Sequence, residues 1–168
     1  MGYAADELTR MTEARYIDYI KAQKGMKPID GLESLLRYLK GNGIKLAVAS
    51  SSPPSIIEIV LSGMFGIKGL FDAVVSGDGL ENSKPAPDIF LNTAGLLGVH
   101  TGNCVVIEDS ANGIRAAKAA GMTCIAYDNP SADNRQDLSE ADFVVGHFDE
   151  IRNRGILRFS KGKITVSR

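Results

Sequence analysis

The chain has 168 residues, 44% of them hydrophobic and 23% charged, which excludes a disordered polymer and suits one globular domain with its own core. With 19 Lys plus Arg against 20 Asp plus Glu, the formal net charge is −1, and no basic block could track nucleic-acid phosphates, so DNA and RNA are not expected partners. No apolar run approaches the ~18 residues of a membrane span and MGYAADELTRMTEARY lacks the apolar core of a secretion signal, so no membrane contact and a cytoplasmic location are expected.

Residues 6–24 place Leu8, Met11, Ala14, Tyr16 and Ile20 near helical spacing and predict an amphipathic helix. In KPIDGLESLLRYLKGNG, Asp30 and Glu33 are spaced as a capping box, the leucines from Leu32 to Leu39 form the buried stripe, and Gly41 or Gly43 stops the helix. From Ile44, IKLAVAS is a continuous apolar run, suited to a strand buried on both faces of a parallel sheet. Pro53 and Pro54 can open the next helix, whose first N–H groups have no intrahelical partner anyway.

Beyond it DAVVSG reads as a strand, PDIFLNTAGLLG as a helix, CVVIED as a strand, SANGIRAAKAAG as a helix, and MTCIAY and ADFVVG as strands. This alternation predicts βαβ units, hence an α/β fold with a mostly parallel, Rossmann-like sheet and helices on both faces. Only the tail breaks the alternation, and its two period-2 runs around Lys161 and Gly162 predict a hairpin. Cys104 and Cys124 lie in apolar runs without a CxxC pair and are expected as buried, reduced thiols. His100 and His147 have no nearby ligand-type partner and read as ordinary loop residues.

In an open parallel sheet, ligands bind beyond the carboxyl ends of the strands. Ser50, Ser51 and Ser52 follow LAVA, while Ser76, Gly77 and Asp78 follow AVV, with SKPAPDIF just beyond; Glu108 and Asp109 follow VVI. Hydroxyls and helix-start N–H groups can hold an anion, a lysine neutralises phosphate, and carboxylate oxygens hold Mg²⁺. Each residue also has a simpler reading: Ser50 as a helix cap, Lys84 as a solvated loop lysine, Glu108 and Asp109 as acids favoured by a helix dipole.

AVAS, SKPAPDIF and VIEDSANGIRAAKAAGM, in that order, resemble motifs two, three and four of the haloacid dehalogenase-like superfamily, in its β-phosphoglucomutase-like branch of phosphatases and mutases. The resemblance covers residues 25–151 as a core and implies a Mg²⁺-dependent phosphohydrolase or phosphomutase acting on a small phosphorylated metabolite through an aspartyl-phosphate. It implies Ser50 as the hydroxyl on the phosphoryl group, Ser51 as a further phosphate contact, Lys84 as the phosphate-neutralising catalytic lysine, and Asp109 with Glu108 as the Mg²⁺ site. Ser110 is a weaker candidate beside them. By the same resemblance residues 1–24 look like the end of a helical cap, leaving 152–168 as an extra tail.

The family's motif-one strand, ending DxDG, has no counterpart ahead of Ser50: Asp6 is followed by Glu7 and Leu8. In VVSGDGL, Ser76 and Asp78 imitate the spacing, but they occupy the place of the ordinary strand before the lysine. The expectation is therefore an N-terminally truncated, inactive form, with a non-catalytic phosphate- and Mg²⁺-binding domain of regulatory role as the alternative. The unpaired sheet edges and the tail are left as surfaces for self-association.

Overall fold

The computed structural model describes residues 5–22, 25–130, 132, 135–160 and 163–167. Their order is α1 (Ala5–Ala22), α2 (Leu32–Gly41), β1 (Ala47–Ser50), α3 (Pro54–Glu58), β2 (Ala73–Ser76), α4 (Asp88–Leu97), β3 (Val105–Glu108), α5 (Ala111–Ala119), β4 (Thr123–Tyr127), β5 (Phe143–Val145), α6 (Asp149–Asn153), β6 (Leu157–Ser160) and β7 (Lys163–Val166). Among the described residues no helix is long and apolar enough to cross a membrane.

The parallel sheet comes in two parts. β1 pairs with β2, Ala47 opposite Ala73 and Ser50 opposite Ser76. β3 pairs with β4, which pairs with β5, all parallel. No described strand hydrogen-bonds between β1 and β3, so both inner edges lack a ladder partner among the described residues.

Side chains nevertheless join the two parts. On one face Leu35, Leu36 and Leu39 of α2, Ile57 of α3 and Ile151 of α6 form a core against which Val48 of β1 and Val105 and Ile107 of β3 pack together. On the other, Ile89, Phe90 and Ala94 of α4 and Ile114, Ala116 and Ala117 of α5 surround Val75 and Val106, with Ala49 against them. Alternate residues of β1 and β3 thus enter the same two layers, as expected of strands in one doubly covered sheet.

Local chemistry explains where elements start. β1 begins at Ala47 rather than at Ile44 because the Leu46 N–H is taken by the Asp72 carboxylate at 2.8 Å, a carboxylate that also receives Lys40. The Asp30–Glu33 capping box does not form: Gly31, at φ 82°, is the N-cap residue of α2 with no side-chain cap. A Cβ at Gly31 would stand 3.0 Å from His147 Cε1, so the close approach selects glycine there, and Glu33 turns outward to Arg37 at 2.7 Å. Pro53 and Pro54 do open α3, which passes at Ile59 into a π-helical turn, Ile59–Met64.

The tail forms an antiparallel pair, Leu157 opposite Val166 and Phe159 opposite Ile164. These four face the α2 layer, where Phe159 meets the Tyr38 ring edge-on at 5.7 Å. Lys161 and Gly162, around which the hairpin is expected to turn, lie outside the described residues.

Candidate phosphate and cation site

The carboxyl ends of β1, β2 and β3 carry the residues singled out in the sequence. At β1 the chain turns at once into α3: Ser50 Oγ accepts the Ser52 N–H at 3.1 Å, and the Ser50 carbonyl accepts the Gly77 N–H at 2.7 Å. The hydroxyl closes the turn and does not cap α3, whose N-cap is Pro53. Ser76 Oγ donates to the Ser52 carbonyl at 2.7 Å and accepts the Asp78 N–H at 3.0 Å. That ties Ser76 into the same turn and removes it as a nucleophile, since an activated hydroxyl needs a base at its proton. Ser51 is exposed and shares the lining of a cavity of about 60 Å³ with Gly77, Ser83 and Lys84.

Lys84 is not a solvated loop lysine. Its side chain is 13% exposed and ion-paired with Glu108, itself 10% exposed. The ammonium lies 4.9 Å above the Phe90 ring and 3.5 Å from the Ala49 carbonyl, so it reaches from the end of β1 to the end of β3.

Glu108 is the hub. One carboxylate oxygen takes Lys84, while the other accepts the Asp109 N–H at 2.8 Å and the Ser110 N–H and hydroxyl, each at 3.0 Å. The carboxylate lies against Gly113 in the first turn of α5, where an added Cβ would come 2.0 Å from it. Ser110 caps α5 by accepting the Gly113 N–H at 3.1 Å. Burial works to raise the Glu108 pKa, but Lys84 and the Ser110 groups outweigh it and hold the carboxyl below its ordinary range.

Asp109 is shifted the other way. Surrounding protein, and next the Glu108 charge, push it above the usual aspartate value. It is exposed and forms no ion pair of its own among the described residues. Two adjacent carboxylates that resist joint ionisation are a natural seat for a hard divalent cation, which takes one or two protein carboxylates and completes its shell with phosphate oxygens and water. The donor set fits that role in part: no group of three metal-ligating side chains is present among the described residues. The histidines serve turns, His100 Nδ1 accepting the Gly102 N–H and His147 Nδ1 the Asp149 N–H. Both cysteines are free, Cys124 buried with its thiol pushed up to about 12 by burial, and Cys104 half-buried rather than buried.

A parallel α/β sheet thus carries a lysine, hydroxyls and paired acids on one carboxyl edge. The model for haloacid dehalogenase-like hydrolases matches residues 2–121, and the chain belongs to that family. It is 33% identical over 156 residues to hexitol phosphatase B of Escherichia coli K12, covering 93% of this chain and 69% of that protein. It is 41% identical over 152 residues to Protein SUPPRESSOR OF QUENCHING 1, chloroplastic, of Arabidopsis thaliana, but spans only 14% of its length. Among solved structures, a mutant of CbbY from Rhodobacter sphaeroides, in complex with xylulose-(1,5)bisphosphate, superposes with a TM-score of 0.80 at 30% identity, over 90% of this chain and 67% of CbbY. A β-phosphoglucomutase from Clostridium difficile gives a TM-score of 0.73 at 29% identity, over 92% of this chain and 67% of that one.

Sequence reasoning missed two features. Gly113 reads as one more helix residue, although its missing side chain is what admits Glu108. The loop after β4 holds no motif, yet with Asp109 and Ser110 it lines a cleft of about 210 Å³.

Proposed function

We propose that the chain forms the phosphate- and Mg²⁺-holding core of a phosphohydrolase acting on small phosphorylated metabolites of the sugar-phosphate class. One observation carries the reading: Lys84 bridges the ends of β1 and β3 and is fixed by Glu108, with Asp109 exposed beside it. In this reading Lys84 neutralises the phosphoryl oxygens, Ser51 and the turn closed by Ser50 orient them, and Asp109 with its neighbour Glu108 holds the cation. Bound there, Mg²⁺ neutralises charge on the phosphoryl group. The names of the relatives, a hexitol phosphatase and CbbY with a sugar bisphosphate, support this substrate class.

The covalent route of the family needs a carboxylate nucleophile and a second acid. No described residue occupies that place; the gap between β1 and β3 is where a strand bearing them fits. The 168 residues alone therefore bind phosphate and Mg²⁺ without turnover, the same property as the non-catalytic binding reading, which that gap favours.

Calorimetry with inorganic phosphate in the presence and absence of Mg²⁺ tests the reading. Phosphate binding strengthened by Mg²⁺ and abolished by Lys84→Ala is expected; no phosphate binding, or binding indifferent to Lys84, overturns it. Phosphate release from sugar phosphates by these residues alone at ordinary enzyme rates, ~1–10³ s⁻¹, overturns the second statement.

A further inference from the structure

Charge is segregated along the chain. Residues 152–168 hold six Lys or Arg and no Asp or Glu, whereas residues 1–151 keep the other 13 bases against all 20 acids, a net of −7. The fold turns part of that basic charge outward. Leu157 and Phe159 of β6 and Ile164 and Val166 of β7 pack toward the α2 layer, so Arg158, Lys163 and Thr165, the alternate residues, stand on the opposite face and are exposed. Arg152 of α6 adjoins the hairpin through Tyr38: its guanidinium lies 4.3 Å above that ring, which is 38% exposed and meets Phe159 at its edge.

The neighbouring bases are already engaged. Arg154 donates to the Val144 carbonyl at 3.0 Å and pairs with Glu150, while Arg37 and Lys40 of α2 pair with Glu33 and Asp72. Arg152, Arg158 and Lys163 have no acidic partner among the described residues. Exposed cations without counter-charge repel one another and gain from an anion that neutralises them.

The surface also limits what that anion is. Two copies meeting outer face to outer face set like charges opposite each other, which guards the hairpin against self-pairing. A four-residue strand spans only about 13 Å, and the rest of the protein is acidic, so a nucleic-acid duplex, charged every ~1.7 Å, would continue onto surface of its own sign. The apolar side chains of the hairpin face inward and leave nothing to insert into a lipid surface. A few carboxylates on a short stretch of polypeptide fit both the size and the sign.

We propose that the outer face of the hairpin, with Arg152 and Tyr38 beside it, is a docking surface for a short acidic segment of another protein, whose carboxylates pair with Arg152, Arg158 and Lys163. None of Ser50, Lys84, Glu108 and Asp109 takes part, so the proposal stands apart from the phosphate reading.

Fluorescence anisotropy on the 168-residue protein tests it, with a short labelled peptide alternating glutamate and threonine, its glutamine counterpart, a short DNA duplex, and vesicles of phosphatidylserine in phosphatidylcholine. The glutamate peptide is expected to bind at low salt, to weaken as salt rises, and to lose its affinity when its acids become glutamines. Replacing Arg152, Arg158 and Lys163 together by Gln should weaken it roughly 10-fold, since each exposed pair contributes a few-fold. Lys21→Gln, an equal kind of charge loss on α1, should leave it unchanged, and none of these variants should alter inorganic phosphate binding. Absence of glutamate-peptide binding, or equal binding by the triple variant, overturns the proposal. So does tighter binding of the duplex or the vesicles through the same three residues, or a dimer of the wild type that the triple variant dissolves.

Discussion

Glu108→Ala isolates the hub of the site. The substitution removes the acceptor for Lys84, for the Asp109 and Ser110 N–H groups and for the Ser110 hydroxyl. Breaking a buried ion pair from one side costs ~3–5 kcal/mol, because the remaining charge stays in a poor solvent. Lys84 retains 13% exposure and a long stem that can swing toward water, which brings the expected loss to roughly 2–3 kcal/mol. The N–H groups that lose Glu108 add ~0.5–1 kcal/mol and no more, since Ser110 still caps α5. A total of about 3 kcal/mol lowers Tm by roughly 6–12 °C at this chain length. Thermal and urea unfolding of the wild type, Glu108→Ala, Lys84→Met and the double variant measure it, and the cycle should give a coupling of roughly 2 kcal/mol. A Glu108→Ala protein within about 0.5 kcal/mol of wild type, as for an ordinary surface change, would refute the hub.

Further outcomes follow from the same contacts. Gly113→Ala, which in an exposed helix interior would add ~1 kcal/mol, is expected to destabilise by at least as much, because its Cβ displaces the Glu108 carboxylate; urea midpoints decide the sign. Glu108, depressed below its ordinary 4.5 in the fold, contributes stability that is complete above that value and lost as pH falls through the lower folded value; Glu108→Gln should flatten unfolding free energy against pH in that acid window. Asp109 has the opposite sign: its raised folded pKa costs stability as pH climbs, so Asp109→Asn should unfold at higher temperature than wild type at neutral pH while losing Mg²⁺ binding. Burial raises both thiols, Cys124 up to about 12, so both should label slowly with iodoacetamide in the folded protein, half-buried Cys104 ahead of buried Cys124; peptide mass spectrometry separates the two, and equal labelling would contradict the packing.

The elements most legible in the sequence are those whose reasons are local. Pro53 and Pro54 mark a helix start by their missing N–H groups, and the apolar runs become the parallel strands β1 to β5, of which β4 is the most deeply buried while Val74 of β2 and Val144 of β5 stay exposed. The reading failed where a distant residue decided the outcome. Nothing near Asp30 reveals that His147 crowds Gly31, and nothing near Ile44 reveals that Asp72 takes the Leu46 N–H. The site divides in the same way: Lys84, Glu108 and Asp109 carry a recognisable order along the chain, whereas Arg135 and Gln136 join the cleft only through the path of the loop after β4. Single residues there have no periodicity or spacing to betray them.

The interrupted sheet and the unfinished charge centre are two sides of one geometry. β1 ends at Ser50 and β3 at Glu108, and Lys84 spans these ends, so a segment running parallel between them finishes beside Lys84 and Asp109. Each ladder bond it makes contributes ~1 kcal/mol net, so even a handful approaches the ~5–15 kcal/mol by which a domain is stable. The same segment that satisfies the edges therefore delivers whatever its last side chain carries into the field of the lysine and the cation site. A peptide with an apolar strand ending in Asp-x-Asp, added to the 168-residue protein, should then raise Tm and confer Mg²⁺-dependent phosphate release together, and its Asn-x-Asn counterpart should raise Tm alone. Release without stabilisation would show that the acids act from somewhere other than the gap.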